Sequence, residues 1–207
     1  MAGEPLSAFP PFKRQFDYMA VKEAVFPFAR FPGSDPVLTP EMKSTGEVMG
    51  IDTSFGIAFA KAQLGGGMRL PKTGRVFISV RDEDKPSATE VAKRLHRVGF
   101  TIVATRGTAA YFAARGIPTE TVNKVQDGSP HIGDQIKKGE VAMVINTPQD
   151  AHSHADSYLI RRYALDYQVA YFTTMAGAEA AAEGIDYLEQ RDFEVRALQD
   201  YHALPLP

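Results

Sequence analysis

The feature that most constrains the fold is an alternation of short apolar segments with helical segments after residue 74. Five segments have the composition and length of strands: "RVFISV" (75–80), "TIVA" (101–104), "TVNKV" (121–125), "VAMVIN" (141–146) and "VAYF" (169–172). The stretches between them have helical spacing, as in 87–98, where apolar residues recur every three or four positions. Strands that alternate with helices in this way pair in parallel. The sequence therefore predicts an α/β protein whose parallel sheet is flanked by helices on both faces.

Capping residues and glycines place the ends of the predicted helices. Ser87 and Glu90 have the spacing of a capping box, which predicts a helix that starts at Ser87. Helical stretches are followed by glycines, which predict their ends, at Gly99, Gly116 and Gly139. The segment "TRGT" (105–108) is expected to be a loop between the second strand and a helix near 108–115.

The N-terminal quarter of the chain has a different texture. Residues 1–50 contain seven of the fourteen prolines, which is too many for a regular helical domain. Within them, "YMAVKEAVFPF" (18–28) predicts a strand that Pro27 ends. Residues 53–64 have helical spacing, and the "GGG" at 65–67 predicts both the end of that helix and a domain boundary.

Composition excludes several classes of protein. The 207 residues are 44% hydrophobic and 23% charged with a net charge of −2, which gives no indication of a nucleic-acid or membrane partner. The absence of cysteine excludes disulfides, thiolate metal sites and a cysteine nucleophile, and it is typical of a reducing compartment. The first residues lack the pattern of a signal peptide. We therefore expect a cytoplasmic protein.

Polar residues follow every strand of the predicted sheet. They are Ser79, Thr105, Lys124, Asn146 and Thr173, with Lys85 just beyond the first strand and Gly107-Thr108 at the start of a helix. Ligands of open parallel sheets bind beyond the carboxyl ends of the strands. Hydroxyl, amide and ammonium groups beside a helix N-terminus suit a ligand that carries phosphate. Each residue alone is better explained as an ordinary cap or loop residue, so the prediction depends on all five strand ends being polar.

Other polar clusters are weaker candidates. The segment "DAHSHAD" contains Asp150, His152, His154 and Asp156, but a spacing of two puts alternate members on different faces of a helix. We therefore expect no metal there. His131, which follows Pro130 and precedes a short helix, is interpreted as a capping or structural residue.

Several motifs, in order, carry a family resemblance. They are "VKEAVFPFARFPGSDPVLTPEMKSTGEVMGI", "FAKAQL", "SVRDEDK", "ATRGTA", "VNKV", "PHIGDQIKKGE" and "DSYLIRRYAL". Together they closely resemble the C-terminal end of the carbamoyl phosphate synthetase large subunit, over about residues 19–200. The pair "PEMKSTGEVMG" and "VNKV…PH" is the most specific part of the resemblance.

The resemblance implies three regions. Residues 1–18 are unassigned. Residues 19–67 resemble the end of the second ATP-grasp unit and a connecting helix. Residues 68–207 resemble the regulatory domain, whose methylglyoxal-synthase-like fold has a five-stranded parallel sheet flanked by helices.

The family makes carbamoyl phosphate for pyrimidine and arginine synthesis from bicarbonate, two ATP and the ammonia that a glutaminase small subunit releases. ATP, Mg²⁺ and K⁺ would belong to ATP-grasp parts that this chain does not match. The resemblance thus implies no cofactor here and no ligase activity from this chain alone, because phosphoryl transfer needs its metal ligands. The expected partners are the remainder of the large subunit, the small subunit, small-molecule effectors and a second copy of the chain.

The resemblance also implies a regulatory site for a nucleoside monophosphate such as UMP or IMP. Its phosphate and ribose contacts map onto Ser79, Lys85, Thr105, Arg106, Gly107, Thr108, Lys124 and Asn146. An ornithine site maps near Glu23 and Thr173. The chain departs from its relatives in three places: Arg106 replaces Gly or His, Pro148 replaces a hydroxyl residue, and Phe172 replaces an aspartate.

Three other functions remain open at this point. A methylglyoxal synthase has the same fold, but the positions of its two aspartates are occupied here by Ser129 and Gln149. The IMP cyclohydrolase domain has a similar opening but lacks "PEMKSTGEVMG" and "VNKV…PH". The third alternative is a non-catalytic module that only joins subunits.

Overall fold

The computed structural model describes residues 3–9, 16–26, 46–147 and 154–202. An antiparallel two-stranded sheet comes first, formed by β1 (Met19–Val25) and β2 (Gly46–Asp52). Helix α1 (Phe55–Gly65) packs on this sheet. The strand predicted before Pro27 and the helix predicted before the "GGG" segment are therefore both present.

The five predicted strands form one parallel sheet. They are β3 (Arg75–Ser79), β4 (Thr101–Thr105), β5 (Thr119–Val122), β6 (Met143–Asn146) and β7 (Ala170–Phe172). Their order across the sheet is β5-β4-β3-β6-β7, so the chain moves outward from β3 on one side and then crosses to the other side. The topological switch point lies between β3 and β6, where ligands of such sheets bind at the carboxyl ends.

Six further helices complete the described structure. They are α2 (Lys85–Arg97), α3 (Arg106–Ala113), α4 (Ile132–Lys137), α5 (His154–Asp166), α6 (Met175–Gln190) and α7 (Leu198–His202). Alternate residues of β3 enter two separate cores, because successive side chains of a strand point to opposite faces. Val76 and Ile78 pack in the core that contains residues of α1, α2 and α6, while Phe77 packs in the core with residues of α4 and α5. The predicted parallel sheet with helices on both faces is confirmed.

Helix starts and one strand end differ from the sequence prediction. Helix α2 begins at Lys85 instead of Ser87, because a 3₁₀ turn at Asp82–Asp84 leads directly into it and Pro86 fits its first turn. The expected "TRGT" loop does not form, since β4 extends to Thr105 and α3 begins at Arg106. The third strand ends at Val122 instead of Val125, so Lys124 follows the strand by two residues.

The predicted helix ends are confirmed. Gly99, Gly116 and Gly139 all have positive φ angles, which allow the chain to reverse after α2, α3 and α4.

The two sheets are joined by close helix packing. Helix α1 contacts β1 and β2 on one side and α6 on the other. The boundary that the sequence predicts at residue 67 thus lies within a continuously packed region, and it stays a prediction. In the described part of the chain, no helix combines the length and the apolar character that a membrane span requires.

Candidate anion-binding site

Three neighbouring strands bring their polar ends together. Ser79 and Asn146 are register partners at the ends of β3 and β6. The Asn146 amide nitrogen donates a hydrogen bond to the Ser79 carbonyl at 3.1 Å. On the other side, the hydroxyl oxygens of Ser79 and Thr105 lie 3.4 Å apart. The structure therefore assembles three of the predicted residues at the switch point.

Thr147 belongs to the same cluster, although the sequence did not single it out. Its backbone N–H donates to the Ser79 carbonyl at 3.2 Å, and its hydroxyl accepts from the Arg81 backbone N–H at 3.2 Å. These bonds link the segments that leave β3 and β6. Its position directly after a strand-end asparagine was the only signal in the sequence.

The carbonyl oxygen of the Asn146 side chain has an unused hydrogen-bonding capacity. Asn146 is 4% exposed, and its Oδ1 atom has no hydrogen-bond partner among the described residues. A buried acceptor without a donor costs about 1–3 kcal/mol, so such atoms usually meet a ligand or water. A ligand hydroxyl could donate to this oxygen.

The N-terminus of α3 faces the same edge of the sheet. Thr105 is the N-cap of α3, but its side chain makes no capping hydrogen bond. The first N–H groups of a helix have no intrahelical acceptor, and the helix dipole favours an anion near them. Thr108 in this turn is 2% exposed, while Arg106 and Gly107 are exposed. The residues expected in a loop therefore form the first turn of a helix, which presents N–H groups instead.

Lys85 adds a positive charge beside this helix turn. An ideal Cβ on Gly107 would lie 3.9 Å from the Lys85 ammonium, which places the two positions in contact range. The ammonium also forms an ion pair with Asp82 at 2.7 Å and lies 5.5 Å from the centre of the Tyr111 ring. Neither Asp82 nor Tyr111 was singled out from the sequence.

The remaining predicted residues lie farther out along the same edge. Lys124 follows β5 and Thr173 follows β7, and each of these strands is two positions from β3. Strands are spaced about 4.8 Å apart, so the ends of β5 and β7 lie roughly 10 Å from the end of β3. They flank the cluster of Ser79, Thr105 and Asn146 instead of joining it.

A pocket lies between the two sheets. It is lined by residues of β1, α1, α5 and β7, including Glu23, Gln63 and Tyr171. Burial raises the pKa of Glu23 above its ordinary value, although a hydrogen bond from Gln63 at 2.8 Å opposes this shift. Thr173 is not among the lining residues. Phe172 is 8% exposed and packs against Phe59 with ring centres 6.4 Å apart.

The region that would hold the base of a methylglyoxal synthase is used to cap α4. The Ser129 hydroxyl donates to the Asp134 carboxylate at 2.8 Å, and the His131 backbone N–H donates to it at 3.1 Å. These two bonds lower the pKa of Asp134. His131 Nδ1 accepts from the Asp134 N–H, which confirms the capping role expected for this histidine. Gln149 lies outside the described residues.

The metal alternative finds no support in the described part of the chain. No group of three or more His, Asp or Glu side chains there is arranged to hold a metal ion. Asp150, His152 and Pro148 lie outside the described residues, as do the side chains of His154 and Asp156.

Comparison with known proteins defines the class of the domain. The family model described as "MGS-like domain" matches residues 87–173, which include most of α2 and four of the five strands of the parallel sheet. Together with the five-stranded parallel sheet and its flanking helices, this match identifies an MGS-like α/β domain.

The relatives identify the family more narrowly. The chain is 56% identical over 187 residues to the carbamoyl phosphate synthase large chain of Ralstonia nicotianae. This alignment covers 90% of this chain and 17% of the relative. It is 51% identical over 210 residues to the large chain of Pseudomonas aeruginosa, an alignment that covers 98% of this chain and 19% of the relative. It is 49% identical over 207 residues to the large chain of Brucella suis, an alignment that covers 97% of this chain and 18% of the relative. The chain belongs to the carbamoyl phosphate synthase large-chain family and corresponds to its C-terminal part. It spans less than a fifth of the length of these relatives.

Proposed function

We propose that this chain is the regulatory part of a carbamoyl phosphate synthase large chain and binds a nucleoside monophosphate. The observation that carries the proposal is the buried Oδ1 of Asn146, which has no hydrogen-bond partner among the described residues and lies beside Ser79 and Thr105 at the switch point of the sheet. An acceptor in this position suits a ribose hydroxyl, and the adjacent helix turn and Lys85 suit a phosphate.

The arrangement divides the work between two kinds of group. The N–H groups at the start of α3 and the Lys85 ammonium provide donors and positive charge for a phosphate. The hydroxyls of Ser79 and Thr105 both donate and accept, so they suit either the phosphate or the sugar. Lys124, about two strands away, would contact an outer part of the ligand.

The proposed role is regulation without catalysis in this chain. ATP, Mg²⁺ and K⁺ would act in the remainder of the large chain, and the glutaminase small subunit would supply ammonia there. A nucleotide bound at this site, UMP or IMP, would change the rate of that reaction through the packing between the domains.

Calorimetric titration of the purified chain with UMP and with IMP tests the proposal. We expect saturable binding of at least one nucleotide and a loss of about 1.5–3 kcal/mol in the Lys85→Ala and Lys124→Ala variants, because each removes a charge-assisted bond. Lys93→Ala is the matched control, since Lys93 lies on the same helix as Lys85 but pairs with Glu90. Unchanged affinity in both site variants would remove the assignment.

Two outcomes would favour the alternatives. Formation of methylglyoxal from dihydroxyacetone phosphate would show a synthase instead of a regulatory site. No heat with either nucleotide, together with concentration-dependent self-association, would favour a module that only joins subunits.

A further inference from the structure

The surroundings of Lys85 suggest how its ammonium is held before a ligand arrives. The Lys85 side chain is only 15% exposed, whereas the side chain of its partner Asp82 is 78% exposed. The ammonium is thus enclosed, and the carboxylate reaches it from the solvent side. An exposed carboxylate costs little to release, because ion pairs at a surface contribute only about 0.2–1 kcal/mol.

The Lys85 ammonium also has an aromatic neighbour, Tyr111. The ammonium lies over the ring of Tyr111 at 5.5 Å from the ring centre, which is within the range of a cation–π contact. Tyr111 is itself half-buried and packs on the core between the sheet and α2. An aromatic ring attracts the ammonium without neutralising its positive charge, so that charge stays available for an anion.

Arg115, in the turn that follows α3, contacts the Tyr111 ring. Its guanidinium lies 3.4 Å from the Tyr111 ring centre, and its Nη1 donates to the Tyr111 carbonyl at 3.1 Å. Two contacts of Arg115 thus hold the Tyr111 ring on α3, the helix whose N-terminus faces the candidate site.

We propose that Tyr111 is a positioning residue for Lys85 and that Asp82 is a built-in competitor that an incoming phosphate displaces. This inference rests on the proposed function, because it assigns Lys85 to the phosphate. Exchange of one anion for another at an enclosed ammonium keeps the charge paired in both states, which avoids the cost of an unpaired buried charge.

Nucleotide titrations of four variants test the two roles separately. Tyr111→Leu removes the ring and is expected to weaken UMP or IMP binding about 3- to 10-fold, whereas Tyr111→Phe keeps the ring and should retain the affinity. Asp82→Asn removes the competitor and should tighten binding about 2- to 5-fold. Glu90→Gln removes the same charge from α2 but frees Lys93 instead of Lys85, so it should change affinity little. Equal loss in both Tyr111 variants, or equal gain in Asp82→Asn and Glu90→Gln, would overturn the proposal.

A readout without nucleotide separates this inference from the proposed function. The ε-methylene proton shifts of Lys85, assigned by their disappearance in Lys85→Arg, report the ring contact directly. We expect them to move downfield in Tyr111→Leu but not in Tyr111→Phe, and to move in the wild-type chain when inorganic phosphate is added. If these shifts behave as expected but no nucleotide binds, the anion exchange holds and the proposed ligand is wrong. If Tyr111→Leu leaves them unchanged, the positioning role is wrong whichever ligand binds.

Discussion

At the scale of single residues, the polar groups of the site differ in whether they have a partner. Most have a hydrogen-bond or ion-pair neighbour, and one has none among the described residues. The hydroxyl of Ser79 lies near that of Thr105, and the Lys85 ammonium has Asp82 beside it. The Asn146 Oδ1 atom alone of these is buried without a partner among the described residues. A ligand would therefore gain most by donating to Asn146 and would exchange partners at the other groups.

Arg106 is the residue whose role a salt titration can decide. It is exposed in the first turn of α3, where relatives are expected to have Gly or His. If its guanidinium faces the ligand, Arg106→Gly should weaken nucleotide binding more at low salt than at high salt. At high salt, screening has already reduced the contribution of this exposed charge in the parent protein. Affinities measured by calorimetry at about 20 mM and 300 mM salt make the comparison, over which the Debye length falls from roughly 20 Å to 6 Å.

Arg115→Gly would be a poor control for this measurement, because Arg115 supports Tyr111. Arg97→Gln is a better control, because this substitution also removes one positive charge. Arg97 lies on α2 and forms an ion pair at 2.8 Å with Asp186 of α6. A negligible effect of Arg106→Gly at both salt concentrations would assign Arg106 to the solvent.

At the scale of elements, β2 and α1 approach so closely that only glycine fits between them. A Cβ at Gly50 would lie 2.0 Å from the Ala58 carbonyl oxygen and 2.5 Å from the Ala62 nitrogen. Both atoms belong to the helix backbone and cannot move without shifting α1. Since α1 also packs on α6, this contact positions the N-terminal sheet against the parallel sheet.

Gly50→Ala should therefore destabilise the protein by about 3 kcal/mol or more, at the upper end of overpacking substitutions. Gly46→Ala is the matched control in the same strand, because a Cβ there meets nothing within 4 Å. Urea denaturation followed by circular dichroism measures both variants. If Gly50→Ala were as stable as Gly46→Ala, β2 and α1 would not be in the close contact described here.

The elements also show how far the sequence could predict the structure. Strands such as β3 and β6 were predictable because their apolar runs reflect burial on both faces. The start of α2 was misplaced because Ser87 and Glu90 mimic a capping box, while the preceding acidic turn and Pro86 begin the helix earlier. The strand-end residues of the site were predictable from topology alone. Tyr111 and Thr147 were not, since Tyr111 contacts Lys85 from 26 positions away and Thr147 bonds Arg81 from 66 positions away.

At the scale of the whole molecule, the pocket between the two sheets is the region to which the expected ornithine site maps. Relatives are expected to have an aspartate where this chain has Phe172, and the Phe172 ring packs in the core against Phe59. An aromatic ring replaces a carboxylate poorly as a partner for an ammonium group. We therefore expect weak or absent activation by ornithine when the chain is joined to the rest of the large chain.

Assays of carbamoyl phosphate synthesis with and without ornithine measure this directly. Glu23→Gln is the informative variant, since Glu23 lines the pocket and is hydrogen-bonded to Gln63. Strong activation in the parent protein that disappears in Glu23→Gln would show that the pocket binds ornithine without an aspartate at position 172.

A charge network centred on the buried Asp52 joins β2 to the C-terminal part of the described chain. The Asp52 carboxylate at the end of β2 accepts from Lys61 of α1 at 2.9 Å and from Arg191 after α6 at 2.8 Å. The Tyr201 hydroxyl of α7 donates to the Ile51 carbonyl at 2.9 Å beside this network. The same few atoms thus connect the N-terminal sheet with α1, α6 and α7.

The pH dependence of stability tests this network. Burial raises the pKa of Asp52, but hydrogen bonds from Lys61 and Ser54 and the charges of Lys61 and Arg191 outweigh it, so the pKa lies below its ordinary value of 3.8. A carboxyl group whose pKa is lower in the folded state stabilises the protein above its ordinary pKa and loses this contribution as the pH falls through the folded value.

Asp52→Asn should lower the free energy of unfolding by about 1–3 kcal/mol near pH 7, and the difference from the parent protein should shrink below about pH 4. Asp192→Asn is the control, because Asp192 is exposed and pairs only with the exposed Lys72 at 3.2 Å among the described residues. Urea unfolding of the three proteins between pH 3 and pH 7 gives the comparison, and a difference that does not change with pH would mean that the Asp52 carboxylate is not held in this network.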